Sequence, residues 1–93
     1  MSKTENKIKA YKQAAGAVAQ LVLEYPDFGD EHIEDMFLTF HHTGEECPVP
    51  GGIFQGLCYK ARNMVGRNSL ITYDEIVALL TVDMIQRNVS VNV

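Results

Sequence analysis

The sequence predicts an all-α fold, a small bundle of about four amphipathic helices with one long loop rich in proline and glycine. Apolar residues recur at steps of three and four through most of the chain, which is the period of an α-helix. Prolines and glycines fall between these stretches and divide them into four segments. The 93 residues suit one core, so residues 1–93 are predicted to form a single helical domain.

The first helix is predicted over residues 5–25. Ser2 and Glu5 have the spacing of a capping box, and Pro26 ends the helix because its ring cannot continue the backbone hydrogen bonding. The residues around Gly16 have small side chains, so another helix can approach closely there. We call this narrow part of the helix the waist. The apolar stripe consists of Ile8, Tyr11, Ala15, Val18, Val22 and Tyr25.

The second helix is predicted to begin after Asp27 or Asp30 and to reach His42. Acidic residues fill its first turn, where they complement the positive end of the helix dipole. Gly44 follows as a left-handed stop. Its apolar stripe consists of Ile33, Met36, Phe37 and Phe40.

A loop is predicted over residues 43–52, and a loop of that length is a frequent place for function. The third helix is expected over residues 53–65 with Gly66 as its stop. The fourth helix starts at a capping box formed by Thr72 and Glu75, and its apolar residues are Val77, Leu79, Leu80, Met84 and Ile85. The tail at residues 89–93 alternates as a short terminal strand would.

One core is expected to gather side chains from all four helices. Its predicted members are Val18, Val22, Phe37, Phe40, Leu57, Ala61, Ile76 and Leu80. Leu21 and Leu23 flank the apolar stripe of the first helix, and the pattern predicts no contact within the chain for either side chain. Together with the narrow waist they predict a homodimer formed through the first helix.

Charge is unevenly distributed along the chain. The net charge is −4, and eight of the twelve acidic residues lie between Glu24 and Glu46. The negative electrostatic potential of these residues favours a protein partner with a basic surface and disfavours a nucleic-acid backbone. The longest apolar run is five residues, at 76–80, far below the twenty or so of a membrane helix, and the N-terminus has no signal-like segment. We therefore expect a cytoplasmic protein that does not enter the membrane.

The histidines and cysteines suggest two alternatives to a protein-interaction surface, a zinc site and a reactive thiol. Imidazole and thiolate groups suit zinc, but the spacing between the cysteines is unlike that of zinc motifs. A thiol site at Cys47 would need a histidine as its base, and the adjacent Glu45 and Glu46 should raise the pKa of that thiol. The candidate ligands are His32, His41, His42, Cys47 and Cys58.

A further alternative is a nucleic-acid-associated transcription regulator. Lys60, Arg62 and Arg67 form a local basic patch, and the third and fourth helices around Gly66 resemble a helix-turn-helix in their order. The chain nevertheless lacks a basic recognition helix and overall positive charge.

The sequence accordingly predicts a protein-interaction module with no enzymatic activity and no cofactor. It is expected to regulate or inhibit a larger protein, as compact acidic proteins of the immunity, anti-defence and phage type do. The predicted partner-binding residues are Asp30, Glu31, Glu34, Asp35, Glu45 and Glu46.

Overall fold

Local signals in the sequence mark several of the helix ends. A computed structural model describes residues 3–91, and four α-helices lie within them. They are α1 (Lys3–Glu24), α2 (Asp30–His42), α3 (Gly51–Arg67) and α4 (Tyr73–Arg87). The predicted all-α class is confirmed. Residues 89–91 form no strand, while Ser2, Asn92 and Val93 lie outside the described residues.

The capping box at the start of α4 forms as predicted. The hydroxyl of Thr72 accepts a hydrogen bond of 3.2 Å from the backbone N–H of Glu75. The carboxylate of Glu75 in turn accepts one of 3.2 Å from the backbone N–H of Thr72. Two N–H groups that have no partner inside the helix are thereby satisfied, which defines the helix start.

Gly44 ends α2 in the left-handed conformation that the sequence predicted, with φ of +80°. Its N–H donates to the carbonyl of His41 at 3.1 Å, and the N–H of Glu45 donates to that of Phe40 at 2.8 Å. This pair of bonds is a Schellman motif. Asn88, with φ of 51°, ends α4 in the same way, since the N–H of Val89 donates to the carbonyl of Met84 at 3.2 Å.

Helix α3 begins at Gly51, two residues before its predicted start, which shortens the predicted loop. Two further predicted helix ends were also wrong. Gly66 does not stop α3, which continues to Arg67 and ends at Asn68 in extended conformation. The cap of α2 is Gly29, whose N–H donates to Nδ1 of His32 at 3.1 Å. The sequence signal for both ends was weak, because an exposed glycine is tolerated inside a helix and histidine is not a usual capping partner.

Helix α1 is the centre of the bundle. It packs mainly against α4 and α3 and less extensively against α2. The buried side chains form one cluster to which all four helices contribute. Seven of the eight predicted core residues are buried, and the exception, Phe37, is partly buried and packs against the cluster. Phe37 instead makes an edge contact with Phe54, at 5.7 Å between ring centroids.

The narrow waist of α1 is occupied within the chain. Ala14, Ala15 and Ala19 are fully buried, and the Tyr73 side chain of α4 lies directly over Gly16. A methyl group added at Gly16 would stand 2.6 Å from the Tyr73 hydroxyl. The waist is therefore not free for self-association, because α4 of the same chain covers it, whereas Leu23 of the predicted surface is exposed. The homodimer through α1 stays a prediction.

Two residues near the end of α1 also differ from expectation. Leu21, which had no assignment, is buried in the core, whereas Tyr25 lies beyond the helix and is exposed. Tyr25 stacks on His32, with ring centroids 5.2 Å apart. Leu21 is buried because α1 has neighbours on several sides, so more than one stripe of it faces protein.

Within residues 3–91, the helices fall short of the length and apolar character that a membrane crossing requires.

Candidate protein-interaction surface

The solvent-facing side of α2 carries acidic side chains and one leucine. Ile33 and Phe40 turn the opposite side of the helix into the core. Glu31, Asp35 and Leu38 follow at steps of four and three, so they share the outer side. All three are exposed, Leu38 by 41%. We call these three residues the outer α2 face.

Asp30 and Glu34 lie beside this face, at a shallow groove between α2 and α3. Ile33, Phe37 and Phe54 supply apolar lining to the same groove. The hydroxyl of Tyr59 donates a hydrogen bond to the Asp30 carboxylate, which joins the two helices. This hydrogen bond raises the pKa of Tyr59. One predicted binding residue, Asp30, therefore already has a partner inside the chain.

Glu45 and Glu46 belong to a different groove. They lie beside α1, with Lys9, Gln13 and Pro48 among the lining residues. The Gln13 side-chain amide donates to the Glu45 carboxylate at 3.1 Å. The 13 residues of α2 separate this pair from Asp30 by roughly 15–20 Å. The six predicted residues are thus all exposed, but they form two acidic groups rather than one.

The basic patch predicted on α3 is largely engaged within the protein. Lys60 forms an ion pair with Asp83 of α4, at 2.5 Å. The Arg62 guanidinium lies 3.9 Å from the centre of the Phe28 ring and donates to the Phe28 carbonyl. Cations held in this way are poorly placed for a phosphate backbone. Arg67, the third residue of the predicted patch, is exposed.

The histidines and cysteines proposed as ligands are dispersed. His32 caps α2, and His41 makes an edge contact with Phe37 at 6.0 Å between ring centroids. Cys47 and Cys58 are both buried. Across residues 3–91, no three histidine, cysteine, aspartate or glutamate residues are arranged to hold a metal ion.

Burial determines the direction of the pKa shift of both thiols. It raises the pKa of Cys58 to about 12, although the charge of Arg62 opposes the shift. Burial also raises the pKa of Cys47. The direction was predicted for Cys47, but its cause is burial rather than repulsion by Glu45 and Glu46. The thiolate is the nucleophilic form, so neither site favours thiol catalysis near neutral pH.

The outer side of α4 is a surface that sequence reasoning missed. Leu79 and Ile85 were expected on the apolar, inward side of the helix, but they are 50% and 47% exposed. Val82 between them is 49% exposed. The helix is apolar around most of its circumference, so periodicity alone could not say which side faces the core.

Comparison with known proteins finds no family model, no curated protein and no solved structure that matches this chain.

Proposed function

We propose that the protein is a small interaction module that regulates or inhibits a larger protein by docking through the outer α2 face. The observation that supports this most strongly is the composition of that face. It presents Glu31, Asp35 and the half-exposed Leu38, and α2 contains no lysine or arginine to neutralise them. The partner surface that suits it is basic, with an apolar centre that receives the leucine.

The two kinds of side chain would contribute differently to binding. Exposed carboxylates attract a basic partner over several ångströms and speed its encounter, and salt screens that attraction. An apolar side chain buried near the centre of the contact acts mainly on dissociation. Glu34, at the edge of the same face, and the separate pair Glu45 and Glu46 would add to the long-range attraction without touching the central leucine.

A charge-reversal variant tests the proposal. Immobilised protein is used to capture a stoichiometric partner at low salt, and the association rate of that partner is then measured over a range of salt concentrations. The variant Glu34→Lys, Asp35→Lys, Glu45→Lys, Glu46→Lys should associate more slowly and lose most of its salt dependence. Leu38→Ala should instead raise the dissociation rate.

The matched control changes charge elsewhere. Glu24→Lys with Asp27→Lys reverses two exposed carboxylates at the α1–α2 turn. Its association rate is to be compared with that of Glu31→Lys with Asp35→Lys, which makes the same change on the outer α2 face. Circular dichroism checks that every variant folds. Unchanged rates and salt slopes in the quadruple variant would mean that these acids only complement a helix dipole or face solvent.

A further inference from the structure

The outer side of α4 carries an apolar stripe that no described residue covers. Leu79, Val82 and Ile85 follow at steps of three and are each about half exposed. At 100° per residue, Glu75 and Gln86 fall in the same arc, so the stripe has a polar residue near each end. The buried side of the helix, with Ile76, Leu80 and Met84, points the other way into the core.

Charge differs between the two ends of this face. Asp74 and Glu75 are exposed in the first turn of α4. Arg87, in the last turn, does not belong to this face, because it lies about 140° around the helix from Val82 and lines the groove between α3 and α4. Lys7 of α1 supplies the cation at this end, since it lines the same groove as Ile85 and its ammonium donates to the side chain of Asn88. The face is therefore acidic at one end, apolar in the middle and basic at the other end.

We infer that this face binds the same face of a second copy of the chain, with the two α4 helices antiparallel and a twofold axis near Val82. In that arrangement Leu79 of one copy lies against Ile85 of the other. The acidic end of each helix meets the basic end of its partner. Asp74 then lies on the side of Lys7 from the other copy, because Asp74 is within about 20° of Ile85 around α4 and Ile85 lines a groove together with Lys7.

A second copy is the occupant that the charge pattern favours. A face with opposite charges at its two ends is complementary to itself only when two copies run antiparallel, and a twofold axis imposes that direction. The dipoles of the two helices are then also opposed, which is their favourable orientation. The inference concerns a different face from the outer α2 face and does not rest on the proposed function.

Sedimentation equilibrium from low to high micromolar concentration tests the inference on the whole chain. The wild type should dimerise. Val82→Glu should weaken the dimer by at least about a hundredfold, because it places two carboxylates against each other at the axis. Leu38→Glu, a matched change at an exposed leucine of α2, should dimerise as the wild type does. A wild type that stays monomeric, or a Leu38→Glu variant as impaired as Val82→Glu, would overturn the inference.

A mixing experiment identifies the antiparallel pairing. In Asp74→Lys, the introduced lysine of each copy faces Lys7 of the other, and in Lys7→Glu, the introduced glutamate faces Asp74, so each variant alone should lose dimerisation. Mixed in equal amounts, the two should form a heterodimer that restores both opposite-charge pairs. Melting temperatures measured on each variant show that the folds are intact. A mixture that remains monomeric while the wild type dimerises would exclude the proposed pairing.

Discussion

The hydroxyl of Tyr11, in the first half of α1, donates a hydrogen bond of 2.5 Å to the backbone carbonyl of Val89, just beyond α4. The two residues are 78 positions apart, and both are buried. The left-handed Asn88 turns the chain back over α1 and brings that carbonyl to the tyrosine. This buried hydrogen bond therefore joins α1 to the segment that follows the C-terminal end of α4.

Removing that hydroxyl should destabilise the protein. In Tyr11→Phe the Val89 carbonyl is left buried without its partner, which should cost about 1–2 kcal/mol of unfolding free energy. Urea denaturation followed by circular dichroism measures the loss. Tyr25→Phe makes the same chemical change at an exposed ring and should stay within about 0.5 kcal/mol of wild type. Equal effects for the two variants would show that the buried hydrogen bond contributes nothing particular.

Adjacent leucines on α4 should respond very differently to truncation. Leu80 is fully buried and Leu79 is half exposed. Leu80→Ala removes buried surface and leaves a cavity, so it should cost about 2–5 kcal/mol. Leu79→Ala should cost less than about 1 kcal/mol. Both are measured by urea denaturation at low micromolar concentration. Similar losses would contradict the observed orientation of α4.

The contact between Gly16 and Tyr73 predicts that the effects of substituting these two residues on the unfolding free energy are not additive. Alanine is favoured over glycine in a helix by up to about 1 kcal/mol, but its methyl group would collide with the Tyr73 hydroxyl. Tyr73→Phe removes that oxygen, and the nearest remaining ring atom then lies at an ordinary 3.7 Å. Gly16→Ala should therefore stabilise the Tyr73→Phe protein more than it stabilises the wild type. A double-mutant cycle of unfolding free energies measures the difference, and purely additive effects would contradict it.

The buried thiol of Cys58 should make stability depend on alkaline pH. Its pKa is about 12 in the folded protein and 9.0 for an unperturbed thiol. Between these values the folded state keeps a proton that the unfolded state has released. The stabilisation is therefore complete below pH 9 and is lost as the pH rises toward 12.

Cys58→Ala isolates this contribution. The variant loses some packing at every pH, but its unfolding free energy should fall less steeply above pH 9 than that of the wild type. Every other ionisable group is common to both proteins, so the difference between the two slopes reports on Cys58. Parallel curves over this range would show that the thiol ionises equally in the folded and unfolded chains.

Local signals in the sequence determined the four helices and several of their ends. The capping box of Thr72 and Glu75 and the left-handed Gly44 act through backbone groups only a few residues away, so they can be recognised without knowing the fold. The exposure of the acids on α2 follows in the same way from its apolar stripe, since residues on the opposite side of an amphipathic helix face water.

Tertiary structure decided what each remaining face contacts. Leu21 is buried and Tyr73 fills the waist around Gly16. Lys60 and Arg62 bind groups within the protein. In each case the cause is a contact with another part of the chain that is distant in sequence. The same is true of Glu45, which is near α2 in sequence but pairs with α1. Periodicity specifies the side of a helix that prefers burial. It does not specify how many neighbours surround that helix. That number depends on how the whole chain packs, and none of residues 3–91 covers the outer side of α4.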